Sequence, residues 1–154
     1  MSASALRGLL ADASQNGTYF IDARDRGGLD DVARGLGFAA AAIDLAGCRD
    51  KDEAFERFAA ALRFPDWFGR NWDALADCLD DLSWLPADGY LLLLDHAAAW
   101  REAEAGQFAT ALEILDDAAR AWSARRVPFW TLVPLPAHAL DEAVEADRAP
   151  PPRT

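Results

Sequence analysis

Many of the usual chemical tools are scarce in this sequence. Its 154 residues include two cysteines, Cys48 and Cys78, too few for a disulfide scaffold and not arranged as CxxC. Zinc ribbons and thioredoxin-type redox motifs are thereby excluded. The two histidines, His96 and His138, form no metal-spaced pair such as HExxH. GxSxG, a phosphate-cradling Gly-rich loop and GxGxxG are all missing. No apolar run approaches the ~20 residues needed to cross a bilayer. Met1–Leu10 carries a single charge, Arg7, and no long apolar core, so no signal peptide is expected. Basic residues are short as well: 15 Lys+Arg stand against 26 Asp+Glu, a formal charge of −11. A protein that neutralises nucleic-acid phosphates needs the opposite balance. The gaps predict a cytoplasmic monomer with no metal, no cofactor, no membrane contact and no direct nucleic-acid partner.

What is present is enough for one core. The composition is 52% hydrophobic and 27% charged, outside the range of disordered polyelectrolytes. A chain of this length buries roughly two-thirds of its surface on folding without staples. Three short, nearly continuous apolar runs read as strands covered on both faces: Phe38–Leu45, Tyr90–Leu94 and Val127–Val133. A fourth candidate strand, Thr18–Ile21, follows the turn-like Asn16-Gly17 and precedes the Gly27-Gly28 break.

Between these runs the period becomes helical. Leu29, Val32, Ala33 and Leu36 share a face before Gly37, a C-terminal cap. Lys51–Leu62, Trp72–Leu82 and Gln107–Trp122 keep the i, i+3, i+4 rhythm. Strands alternating with helices predict an α/β domain with a small, mostly parallel sheet flanked by helices. Residues 134–154 hold most of the prolines and read as a tail that frays.

Candidate catalytic groups are few. His96 follows an apolar strand, at the end where α/β sites gather, but such a histidine is more often structural. Cys78 lies on the apolar face of its helix and reads as a buried thiol. Cys48 reads as a loop cysteine open to solvent, with no base beside it. The acidic residues gather along one helix, not across a cleft as glycosidase chemistry requires. A small hydrolytic enzyme is the weakest of the readings.

The informative stretch is Phe64–Trp84, FPDWFGRNWDALADCLDDLSW. Pro65 favours an extended or turn entry, Gly69 permits a sharp bend and Asn71 starts a helix. Asp73, Asp77, Asp80 and Asp81 then fall at i, i+4, i+7 and i+8, opposite Leu75 and Leu79. Like charges so spaced weaken a helix, and Asp80 and Asp81 also sit at the wrong end of its dipole. A solvated acidic face is one explanation. A surface built to occupy a phosphate-binding cleft is the other, its carboxylates meeting arginines and lysines while Trp67 or Phe68 stacks beside them.

Pro65-Asp66-Trp67-Phe68-Gly69-Arg70-Asn71-Trp72-Asp73-Ala74-Leu75-Ala76-Asp77-Cys78-Leu79 resembles the hallmark of the barstar family of ribonuclease inhibitors. The resemblance runs over Phe38–Val133, residues 1–37 being an N-terminal extension that adds a strand and a helix to the same domain. It implies a barstar-like fold and an antitoxin or immunity-type inhibitor that plugs the active site of a basic secreted ribonuclease or related toxin. By position it gives Trp67 the aromatic role and Asp73 and Asp77 the carboxylate roles, with Asn71 at the contact edge. Asp80 and Asp81 extend the acidic surface, and Asp117 is the nearest match to a further acidic contact, with Asp116 as the other option. Trp67 stands where the family has tyrosine, Asp80-Asp81-Leu82 where it has a glycine after the helix, and the Ser83–Gly89 connection is longer. A barstar-fold module for a non-nuclease partner is the alternative, because a fold alone does not fix function.

Overall fold

The computed structural model describes residues 2–148. The elements run α1 (Ala3–Leu10), β1 (Gly17–Asp22), α2 (Leu29–Gly35), β2 (Phe38–Asp44), α3 (Lys51–Leu62) and α4 (Trp72–Asp81). They continue through β3 (Gly89–Asp95), α5 (Ala98–Ala103), α6 (Ala105–Ala124), β4 (Phe129–Leu135) and α7 (Ala137–Arg148). The strands form one sheet in the order β1-β4-β3-β2, and every pairing in it is parallel.

Alternation along the strands divides the interior in two. Leu92, Leu94, Ile43, Phe129 and Val133 meet Phe55, Phe58, Leu75, Leu79, Trp100, Leu115 and Trp122 in the larger core, which lies under α3–α6. Leu91, Leu93, Trp130 and Leu132 point the other way, toward Leu10 of α1 and Leu29 and Ala33 of α2. Both strand faces are covered, so the runs carry no polar alternation: β3 is buried from Gly89 to Leu94 and β4 throughout. At the β2–β3 ladder Phe38 faces Gly89, where a Cβ would lie 2.6 Å from the Phe38 ring.

The segment that precedes β2 contributes a strand to this sheet. Gly17–Asp22 pairs with Trp130–Leu135 in register. Half-buried Asn16 donates to the carbonyls of Ala119 (3.1 Å) and Val127 (2.9 Å) and accepts from Phe129 N–H (2.8 Å). One side chain thus ties β1 to the end of α6 and the start of β4.

Two expectations need correction. The chain does not fray from Pro134: β4 runs to Leu135, and α7 follows with Ala139 and Ala143 buried in the larger core. The β3 ladder stops at Leu132, so Pro134 has only β1 alongside, and its missing N–H interrupts no pairing with β3. Residues 149–154, the rest of that tail, lie outside the described residues. Cys48 is not open to solvent but fully buried between β2 and α3, and burial pushes its thiol up.

Candidate partner-binding site

The acidic helix is held from three sides. At its start Asn71 Oδ1 accepts from Ala74 N–H at 2.8 Å, satisfying one of the free donors of the first turn. The sharp bend before it is made by Arg70 (φ 51°), not by Gly69. Gly69 leaves room for the cap, since a Cβ there would lie 3.2 Å from the Asn71 amide and press on it. On its inner face Leu75, Cys78 and Leu79 are buried. Burial, reinforced by Asp77 and Asp81, pushes the Cys78 thiol up, which leaves it an inert packing group. At its end Leu82 takes a left-handed conformation (φ 49°) with its side chain buried, and Trp122 of α6 donates to the Leu79 carbonyl at 2.8 Å.

With the inner face fixed, the outer one is determined. Asp73, Asp77, Asp80 and Asp81 are all exposed. Among the described residues none of their carboxylates forms a salt bridge or accepts a side-chain hydrogen bond. The α4 face continues onto α6. Asp80 has its carboxyl pushed above the usual range, by partial desolvation first; Asp77 and Asp117 add to the shift while Arg125 opposes it. Asp117 is therefore electrically part of the same surface. Asp116 is not its equivalent: it is half-buried and accepts from the N–H of Thr18 in β1 at 3.2 Å. Arg125 is occupied, its guanidinium 4.1 Å above the Trp122 ring and donating to the Asp80 carbonyl.

The preceding loop supplies the aromatic. Trp67 is 62% exposed, one of two large apolar side chains left in solvent among the described residues. Its ring meets Trp84 edge-on at 6.2 Å, and Trp84 meets Phe64 at 6.0 Å. Trp84 is fixed in turn by donating to the Leu62 carbonyl at 2.9 Å. Phe68 turns inward against Phe55 and Phe64, and Trp72 packs on Phe55 with its N–H on Gln107. Trp67 is thus held upright on an aromatic base. Trp84 was not foreseen, although the longer Ser83–Gly89 connection that carries it was visible.

The groups considered for catalysis are elsewhere. His96 lies at the carboxyl end of β3 with φ 57°, and its Nδ1 is 2.8 Å from Asp44 Oδ1. The Asp44 carboxyl is held low, first by the Ala46 N–H and then by His96. His138 is exposed on α7. Among the described residues no three His, Cys, Asp or Glu side chains are grouped to hold a metal ion, and no helix is long and apolar enough to cross a membrane.

The family described as Barstar (barnase inhibitor) matches residues 38–134, from the start of β2 nearly to the end of β4. The chain belongs to the Barstar family. The matched region contains α4, the Trp67 loop and α6, whereas α1, β1 and α2 precede it. No curated protein matches the chain. Among solved structures, a chain from Drosophila ORC bound to DNA is similar, with a TM-score of 0.50 at 17% identity. That similarity covers 89% of the present chain but only 37% of the ORC chain. At such identity it shows a shared α/β layering and nothing of function. The matched region supplies three of the four parallel strands, β2, β3 and β4, and β1 extends their sheet at one edge.

Proposed function

We propose that this barstar-family protein inhibits a basic ribonuclease, a secreted enzyme or related toxin, and guards the cytoplasm of the cell that makes it. The supporting observation is the pairing of the unneutralised α4 carboxylates with an exposed Trp67. A ribonuclease must hold phosphate, so its cleft presents cations, and Asp73, Asp77 and Asp117 offer those cations the charge that RNA would bring. Trp67 supplies a rigid apolar wedge beside them, Asn71 lies at the contact edge, and Asp80 and Asp81 extend the field that steers the encounter. In this reading the protein has no turnover of its own and needs no cofactor.

The test is inhibition of RNA cleavage. Small basic ribonucleases of the barnase type should lose activity in a stoichiometric titration with the protein, and Asp77→Ala should abolish that inhibition while leaving the melting temperature unchanged. Equal inhibition by Asp77→Ala and the parent would remove α4 as the inhibitory surface. Tight binding to a non-nuclease protein, without inhibition of any ribonuclease, would favour a barstar-fold binding module.

A further inference from the structure

One arginine on the acidic surface is placed differently from its neighbours. Arg70 is drawn away to Glu56 on α3 at 2.9 Å, and Arg125 is spent on Trp122 and a backbone carbonyl. Arg120 alone among these pairs with a carboxylate of the face. Its Nη1 is 3.1 Å from Asp117 Oδ1, and its Nη2 is 2.7 Å from Asp116 Oδ2. The two partners differ in kind. Asp116 is anchored, because its other oxygen accepts from the N–H of Thr18 in the segment that precedes the family match. Asp117 and Arg120 are open to solvent, each side chain 72% exposed.

We propose that Arg120 is a built-in competitor for the acidic face: in the free protein its guanidinium occupies Asp117, and an incoming cation binds by displacing it. Asp116 makes this possible by retaining Arg120 when Asp117 is surrendered, so the displaced cation has a place to stay. The exchange is inexpensive for a partner that brings several charges at once, because an exposed ion pair is worth little. For a protein with isolated surface lysines, the local cation offsets much of the attraction. Arg120 therefore favours a dense cationic cleft over generally basic proteins. The inference rests on the inhibitor reading for the identity of the partner, but not for the competition itself.

The experiment uses two probes, nona-arginine and a barnase-type ribonuclease, and four proteins: the parent, Arg120→Ala, Asp117→Asn and the double variant. Nona-arginine binding is followed by amide shifts along α4 and α6. Removing one rim cation should tighten binding or speed association about two- to five-fold at low salt. The gain should fade toward molar salt, where charges are screened within ~3 Å. It should be much smaller in the Asp117→Asn background. Arg34→Ala on α2 makes the same change in net charge on the other side of the sheet and should give no such gain. Arg120→Gln, which keeps the side-chain length, guards against a packing artefact. An unchanged or weaker interaction of Arg120→Ala with nona-arginine, or an equal gain from Arg34→Ala, would overturn the proposal. Failure of every variant to inhibit the ribonuclease would count against the inhibitor reading instead, with the nona-arginine result still deciding the role of Arg120.

Discussion

Helices α3 and α4 form one crossover between β2 and β3, and they differ only in what they do with their outer faces. Both begin on a side-chain cap, Asp50 accepting from Glu53 N–H at 2.9 Å and Asn71 from Ala74 N–H at 2.8 Å. Both end in a left-handed residue, Arg63 and Leu82, and both bury an apolar stripe in the same core. On α3 the charges are mixed and are used internally: Glu53 accepts from Arg49 N–H, Arg57 donates to the Asp44 carbonyl, and Glu56 holds Arg70. On α4 they are all of one sign, and among the described residues their carboxylates find no partner in the chain. The core explains the inner stripe of both helices but not the outer face of α4. That surplus charge is what a partner-binding surface requires.

The largest effects should show how alike the two inner stripes are. Phe58→Ala on α3 and Leu75→Ala on α4 each remove a fully buried side chain. They should destabilise by ~3–5 and ~2–5 kcal/mol respectively, measured by chemical denaturation. Affinity corrected for the folded fraction should be little changed for Phe58→Ala, which touches no part of the proposed surface.

The outer faces should then separate the helices. Asp77→Ala should cost ~2–5 kcal/mol of partner affinity, because truncation leaves the partner's cations buried and unpaired. Its effect on stability should be a gain of a few tenths of a kcal/mol at most, as i, i+4 repulsion along α4 is relieved. Glu56→Ala on α3 should do neither. Calorimetry with an inhibited ribonuclease checks the first quantity and denaturation the second. Equal affinity losses for the two variants would erase the distinction between the faces.

The caps offer a finer comparison. Asp50→Ala and Asn71→Ala should each cost about 1 kcal/mol of stability. Only Asn71→Ala should also weaken partner binding, because fraying the first turn of α4 releases Asp73. Matched denaturation and binding curves for the two variants would decide it.

Much of this was legible in the chain, for definite reasons. Lys51–Leu62 and the α4 stripe announce themselves because a side of each helix faces water, which preserves the 3.6-residue period. Three strands were readable as nearly continuous apolar runs, clearest in β3 and β4, where both sheet faces are covered. By contrast β1, with Tyr19 in solvent, was readable only from the turn residues around it. Three helices were not anticipated. Ala98–Ala103 and Ala3–Leu10 are too short and alanine- or leucine-rich to show a period, and Ala137–Arg148 was hidden behind Pro134 and Pro136. Those prolines close a strand and open a helix, positions that tolerate a missing N–H. Cys48 is the loop residue the sequence suggested, but the turn between β2 and α3 folds it into the core instead of leaving it in solvent. The aspartates of α4 followed from spacing alone. Trp84 as the support of Trp67 depends on a contact across 17 residues that no local pattern encodes. The pairing of Arg120 did carry a signal, since it stands at i+4 from Asp116 and at i+3 from Asp117.

The smallest expected effect concerns the end of α4, where repulsion and desolvation meet in one carboxyl. Burial, with Asp77 and Asp117 nearby, raises Asp80 above its ordinary range, and Arg125 offsets only part of this. A carboxyl raised in the folded state holds its proton more firmly there than in the unfolded chain. Folding therefore loses stability as pH climbs from the ordinary aspartate value through the raised one. At neutral pH the penalty is fully present. Asp80→Asn removes it, so this variant should melt slightly higher than the parent at pH 7, by a few tenths of a kcal/mol given the exposure of the residue. The advantage should shrink as pH falls and vanish where Asp80 is protonated in both states. Asp52→Asn, an exposed carboxyl in the first turn of α3, should show the reverse at neutral pH, a small loss of favourable interaction with the helix dipole. Melting curves of both variants at pH 3, 5 and 7 supply the comparison. A gain for Asp80→Asn that persisted at pH 3 would mean that packing, not charge, sets the energetics of the acidic face.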